Sequence, residues 1–277
     1  VARKRNPSRL PSPGERRTER DLARRTLSQN FLVDPAAVAR VVRAASPRPD
    51  DLLVEVGMGK GALTEALAPR CGGLVGYEID HHLIPGLRQR LAGHPRVRVV
   101  HQDFLTARPP LRPFAVVGNV PYARTSEIVD WCLRAPRLTS ATLLTQLEYA
   151  RKRTGDFGRW SLVTVRSWPD VDWRLCGRVP RAAFRPVPRV DGGILRLTRR
   201  PRPLVTGAAE RAAYGRLVEL GFSGVGGTLY ASLRRAHPAR RLEAAFRRAG
   251  LGRDTVVAYA TPRQWLVLSE ELSGTPG

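Results

Sequence analysis

The residues best suited to chemistry in this 277-residue chain are Asn119-Val120-Pro121-Tyr122. They follow the apolar run "FAVVG" (114–118) and precede Thr125-Ser126-Glu127, a polar cluster of the type that starts helices. Asn and Pro are ordinary turn residues, so the tetrapeptide alone reads equally well as a strand-to-helix turn. Its chemical reading is a grip on a flat ring that bears an amine. The exocyclic amine of adenine is a poor nucleophile because its lone pair is delocalised into the ring. Two acceptors aimed at its N–H bonds, Asn119 Oδ1 and the Pro121 carbonyl, would draw the nitrogen toward a tetrahedral, nucleophilic shape. Pro121 stiffens the turn and brings no competing N–H. Tyr122 offers a stacking face.

The neighbouring strand ends decide between these readings. "LLVEVGMGKGALTEAL" places Gly57, Gly59 and Gly61 where a strand meets a helix, which allows a tight turn and close approach of a ligand. It is not a P-loop, which would need Gly at 54 and Ser or Thr at 61. The relaxed dinucleotide fingerprint is met by Gly57, Gly59 and Ala62, so the glycines alone leave an NAD enzyme and a methyltransferase both open. Glu78, ending "GYE", can accept both hydroxyls of a ribose. Asp103-Phe104, after "VVHQ", can read an adenine amino group and cover its face. Each acid alone would pass for a solvated strand end. Three such features at the ends of successive strands face one crevice, and together they point to an adenosine-bearing cofactor. Hydride transfer has no use for the Asn119 tetrapeptide. Methyl transfer does.

The elements that must hold these residues alternate. "LLVEV" (52–56), "GLVGYEI" (73–79), "VRVV" (97–100), "FAVVG" and an extended 141–148 are separated by helical patterns. Asp34 and Pro35 start the first helix, with Val38, Val41, Val42 and Ala45 on one face. Repeated βα units predict a Rossmann-like, doubly wound parallel sheet over residues 28–203, with 192–198 as a late, antiparallel closing strand. Residues 204–277 read as helices alone. Leu242, Ala245, Phe246 and Ala249 form a stripe ending at Gly250, and Thr261 to Gln264 form a capping box. Arg240 and Arg241 lie off that stripe, giving the small C-terminal domain a basic side suited to a polyanion.

Charge narrows the partner. Lys and Arg number 47 against 24 Asp and Glu, a net charge of +23, and only Lys4, Lys60 and Lys152 are lysines. Such a field attracts polyanions, nucleic acid first. Residues 1–27 carry nine basic and three acidic side chains and almost no large apolar ones, so they read as a disordered basic arm. The three cysteines form no disulfide framework or zinc motif, and the five histidines have no ligand spacing, so no metal is expected. No apolar run reaches spanning length and no signal peptide is visible, which predicts a cytoplasmic protein without a membrane partner.

As a set, "SQNFL", "VEVGMGKGALTEAL", "YEID", "QDFL", "NVPY" and "FRPVPRVDGG" resemble, in type and order, the ribosomal RNA adenine-N6 methyltransferases. Within them the chain is most similar to the Erm group, which methylates one adenine of 23S rRNA and confers macrolide–lincosamide–streptogramin B resistance. The resemblance spans about residues 28–198; beyond it the chain is similar only in being helical and basic. It implies S-adenosylmethionine as methyl donor, with Asn30 and Leu32 over the cofactor and Gly57 against it. It further implies Glu78 on the ribose, Asp103 on the adenine, and Asn119 spanning cofactor and target amine. Tyr122 and Phe184 would hold the flipped adenine, and Arg181 and Arg185 beside Phe184 would meet phosphate. An apolar aromatic such as Phe184 is also an ordinary core residue, and that alternative stays open. The sister group, the 16S rRNA dimethyltransferases, usually has Leu where Val120 stands. "LEYARKRTGDFGRW", Asp191 and the Arg-rich leader favour Erm. A catalytically silent RNA-binding relative is the remaining alternative. The resemblance implies a monomer with no protein partner.

Overall fold

The computed structural model describes residues 30–273; the basic arm expected at 1–27 lies outside them. Within the described residues nine strands run β1 (Phe31–Leu32), β2 (Leu52–Val56), β3 (Gly73–Glu78), β4 (Val97–His101), β5 (Phe114–Asn119), β6 (Leu138–Gln146), β7 (Val171–Val179), β8 (Phe184–Arg185) and β9 (Gly192–Arg199). Ten α-helices are interleaved among the described residues: α1 (Pro35–Ala45), α2 (Ala62–Leu67), α3 (Ile84–Arg90), α4 (Thr125–Arg134), α5 (Leu147–Arg153), α6 (Leu162–Ser167), α7 (Ala208–Gly221), α8 (Leu229–Leu233), α9 (Ala239–Ala249) and α10 (Pro262–Ser273).

Seven strands form one sheet in the order β4-β3-β2-β5-β6-β9-β7. The first five are parallel, and β9 inserts antiparallel between β6 and β7. The late antiparallel strand expected at 192–198 is this β9. Strand β2 is buried throughout, because both faces of a parallel sheet are covered. Its Leu52, Val54 and Val56 pack with Ile128, Val129, Trp131 and Cys132 of α4 on one face. Leu53 packs with Val41, Val42 and Ala45 of α1 and Leu63 and Leu67 of α2 on the other. A separate two-stranded ribbon pairs β1 with β8, Leu32 opposite Phe184.

Local chemistry sets the helix ends. Asp34 Oδ1 accepts the N–H groups of Ala36 and Ala37 at 2.7 and 3.2 Å and so caps α1. Thr261 and Gln264 make the reciprocal box that starts α10, at 2.9 and 3.3 Å. Gly250, at φ 64°, ends α9. The C-terminal helices share a core of their own around Trp265, Leu268, Phe246 and Tyr214, which also takes in Val165 of α6. Tyr214 donates its hydroxyl to the Val165 carbonyl at 2.7 Å and ties the helical layer to the sheet domain. Among the described residues, no helix is long and apolar enough to cross a membrane.

Candidate active site

The strands β2, β3 and β5 point their C-terminal ends into one cavity, with the segments after β3, β4 and β5 forming its walls. This is the crevice outside the carboxyl edge where open α/β sheets bind ligands. Gly57 and Gly59 sit at φ 70° and 55°, a region open to glycine without steric cost, and both line the cavity. A Cβ at Gly59 would come within 3.0 Å of the Phe31 ring, so this turn also needs the missing side chain for space.

Glu78 is 2 % exposed at the end of β3. Its Oε2 accepts the Gly59 N–H at 2.7 Å, and its Oε1 accepts the Asp80 N–H at 2.9 Å. Burial pushes its carboxyl up, and these backbone donors oppose the shift. The Ile79 N–H opposes it too, and the acceptor capacity left over is open to a ligand hydroxyl. The carboxylate therefore holds the glycine turn and faces the cavity at once.

Asp103 follows β4. Its Oδ1 caps a short 3₁₀ turn through the Leu105 N–H at 2.9 Å. Its Oδ2 lies 3.7 Å from the Arg124 guanidinium, which also holds Glu127 at 2.7 Å. Phe104 lines the cavity and packs on Trp131, ring centroids 4.3 Å apart.

At the end of β5, Asn119 Nδ2 donates to the Asn30 carbonyl at 2.7 Å. That bond fixes the amide and leaves Oδ1 as the atom available to a ligand. The Pro121 carbonyl accepts the Arg124 N–H at 3.0 Å and the Thr125 hydroxyl at 3.3 Å, the latter shared with the Tyr122 carbonyl at 3.1 Å, so the following turn engages both its lone pairs. The Tyr122 hydroxyl is buried without a hydrogen-bond partner. Burial, and then the Asp191 charge, push the phenol up to about 12, so it stays neutral.

The cavity thus gathers Asn30, Gly57, Gly59, Glu78, Asp103, Phe104, Asn119, Pro121 and Tyr122 from the residues singled out in the sequence. Two others fall elsewhere. Leu32 is 5 % exposed and packs into the core beside Ala37 and Leu53; its neighbour Phe31 lines the cavity instead. Phe184 is fully buried in that same core with Leu144, Val179 and Ile194, so it has no open face for a base. The β1–β8 ribbon explains both, since pairing Leu32 with Phe184 turns both side chains into one apolar layer.

The basic residues divide similarly. Arg181 and Arg240 are exposed. Arg185 turns its guanidinium onto the Ala182 and Phe184 carbonyls at 3.0 and 2.8 Å, and Arg241 donates to the Glu271 carbonyl at 3.2 Å. Tyr77, Ile79 and Arg124 also line the cavity and were not singled out in the sequence. The only sequence signal for Tyr77 and Ile79 is adjacency to Glu78. Among the described residues, Asp80, His81 and His82 bring three potential metal-ligand atoms within 4.8 Å of one another, a closeness that histidine spacing did not suggest. Asp80 Oδ1 is already engaged by the His82 N–H at 2.9 Å.

The family model for ribosomal RNA adenine dimethylases matches residues 20–273. The chain belongs to that family. It is 63 % identical over 252 residues to an rRNA adenine N-6-methyltransferase of Streptomyces fradiae, covering 90 % of this chain and 79 % of that one. It is 38 % identical over 239 residues to the ribosomal RNA small subunit methyltransferase A of Thermobifida fusca, covering 82 % of each. Among solved structures, the 23S rRNA methyltransferase ErmE superposes with a TM-score of 0.86 at 52 % identity, over 88 % of this chain and all of that one. The Rossmann-like class of S-adenosylmethionine-dependent methyltransferases, with a helical C-terminal part, is therefore the fold. The NAD reading of the glycines falls with it.

Proposed function

We propose that this chain transfers a methyl group from S-adenosylmethionine to the N6 amine of one adenine in 23S rRNA, and thereby confers macrolide–lincosamide–streptogramin B resistance. The supporting observation is the Asn119 amide, pinned by its Nδ2 and presenting Oδ1 to a cavity that also holds the Glu78 and Asp103 carboxylates. The 52 % identity to a 23S rRNA methyltransferase, against 38 % to a small-subunit enzyme, favours 23S over 16S as the acceptor.

The lining fits S-adenosylmethionine. Glu78 would accept ribose hydroxyls, Asp103 the adenine amino group, and Phe104 would cover the adenine. Gly57 and Gly59 leave room for the backbone to approach it. When bound, the cofactor supplies an electrophilic sulfonium methyl. Asn119 Oδ1 would accept one N–H of the target amine, and the Pro121 carbonyl would accept the other once the Thr125 hydroxyl turns wholly to the Tyr122 carbonyl, its second acceptor at 3.1 Å, concentrating electron density on nitrogen. Tyr122, neutral and half-buried, would stack on the base. Positioning and these acceptors supply the rate, and no covalent enzyme intermediate is needed. The exposed Arg181 and Arg240 would meet phosphate. We read residues 28–203 as the catalytic domain and 204–277 as an RNA-binding domain, acting as a monomer.

Radiolabelled S-adenosylmethionine, offered with unmodified 23S and 16S rRNA as separate acceptors and followed by mapping of the labelled base, tests this reading. Label on one 23S adenine is expected. Label on 16S adenines would reassign the acceptor, and RNA binding without label would leave a binder that lost its chemistry.

A further inference from the structure

Immediately beyond α5, the chain forms a tight loop, Gly155-Asp156-Phe157-Gly158, that the site described above does not use. Gly155, Phe157 and Gly158 all have left-handed backbones, at φ 75°, 58° and 69°. Glycine takes this conformation freely; a bulky aromatic residue does so only when its surroundings impose it. The surroundings here do impose it. Asp156 Oδ1 accepts the Phe157 N–H at 3.0 Å, and the Gly158 N–H bonds to the Gly155 carbonyl at 3.1 Å. The Trp160 ring lies where a Cβ on Gly155 would stand, 2.3 Å from it, so the loop is packed from beneath. The Trp160 N–H bonds to the Ala258 carbonyl at 2.7 Å and anchors the loop to the C-terminal helices.

This scaffold holds Phe157 outward, 73 % exposed. Neither backbone preference nor core packing calls for phenylalanine there. Its surroundings are cationic: residues 151–160, "RKRTGDFGRW", hold four basic side chains against one acid. Arg151 bridges Asp156 at 2.9 Å and lies over one face of the Phe157 ring, 5.5 Å from its centroid. Lys152 and Arg159 are exposed nearby in the chain. The loop is joined through α5 to the strand that flanks the Asn119 turn. That strand is β6, whose Leu144 pairs with Asn119 and accepts the Val120 N–H at 3.2 Å.

We propose that Phe157 is a stacking platform for an unpaired base of the RNA substrate, other than the nucleotide that enters the active site. A rigid exposed ring among arginines is the arrangement by which proteins hold single-stranded RNA, base on ring and phosphate on cation. Loops of folded RNA supply such bases; a protein partner would not need the cations. Arg151 occupies one face and holds the ring upright, leaving the other to the base. This inference rests on RNA being the substrate.

The test uses the full chain and a 23S rRNA hairpin carrying the mapped adenine, with 2-aminopurine replacing each unpaired purine in turn. Wild-type protein quenches the 2-aminopurine signal at a nucleotide other than the target. Phe157→Ala loses that quenching and binds the hairpin roughly tenfold more weakly. Its melting temperature and S-adenosylmethionine affinity stay unchanged, because the ring is exposed and outside the cavity. Phe157→Tyr restores affinity and quenching, whereas Phe157→Leu does not. Phe157→Ala matching an active wild type in affinity and quenching overturns the platform alone, as does rescue by Phe157→Leu. A wild type that neither binds nor methylates the hairpin overturns the RNA reading and this inference together.

Discussion

Glu55 offers a quantitative test of how the glycine turn is held. It lies at 1 % exposure in β2, two residues before Gly57, in a chain segment otherwise wholly apolar. Its Oε2 accepts the Thr64 hydroxyl of α2 at 2.7 Å, spanning the turn, and its Oε1 has no partner. Burial is the main cause that pushes its carboxyl from 4.5 up to about 8; the Thr64 bond lowers it and the nearby Glu78 charge raises it further. An acid whose pKa is raised on folding contributes fully below its unfolded value, and that contribution is lost as pH rises through the folded one. The window here runs from about pH 4.5 to about 8. Glu55→Gln keeps an acceptor for Thr64 and removes the titration. Inside the window the folded chain holds one more proton than the unfolded one, which costs about 1.4 kcal/mol for every step of one in pH. Between pH 6 and 8 the wild type should therefore lose about 2 kcal/mol more stability than the variant. For a chain of this size that is a relative fall in melting temperature of roughly 4–8 °C. Thermal unfolding of both proteins without ligand, at half-unit pH steps, measures it. Parallel pH profiles would refute the reasoning, because they would mean that Glu55 is ionised in the folded state at pH 6 as it is in the unfolded one.

Three further outcomes follow from the same structure. Phe184→Ala should cost about 3–5 kcal/mol in thermal or urea unfolding, as expected for a deleted core ring; an unchanged midpoint with lost turnover would instead return Phe184 to the base. Glu78→Ala removes the acceptor that joins Gly59 and Asp80, so the melting-temperature rise given by S-adenosylmethionine should shrink to match an affinity loss of about tenfold or more. RNA affinity should fall linearly on a log–log plot against salt, by roughly 0.7 decade per decade for each phosphate neutralised on single-stranded RNA; a flat plot would contradict arginine–phosphate binding.

How much of this was legible in the sequence depends on what each residue does. Glu78, Asp103 and Asn119 sit where a short apolar run stops, and a parallel sheet brings such endings to one edge whatever the packing details. Asp34 and Thr261 announce their helices because capping is a local interaction. Leu32 and Phe184 could not be placed this way. They meet through a two-residue ribbon that joins segments about 150 residues apart, too short to leave any periodicity. Strand β7 also escapes, since Asp172, Arg174 and Arg178 give this edge strand a polar pattern, and a register shift between Leu175 and Arg178, around Gly177, breaks its alternation. Phe31 lines the cavity where its neighbour Leu32 was expected, because in an extended segment a one-residue shift turns the other face. Whether Asn119 Oδ1 or Nδ2 is free could be read only from the contact with the Asn30 carbonyl.

That contact defines the decisive measurement: single-turnover methyl transfer by Asn119→Ala on the mapped RNA, with S-adenosylmethionine affinity measured by calorimetry on the same preparation. Loss of an acceptor that acts only as charge develops on nitrogen should lower the rate by about 10²–10³ while cofactor affinity changes far less. A rate equal to wild type, with the cofactor bound equally well, would contradict the role given to the Asn119 amide.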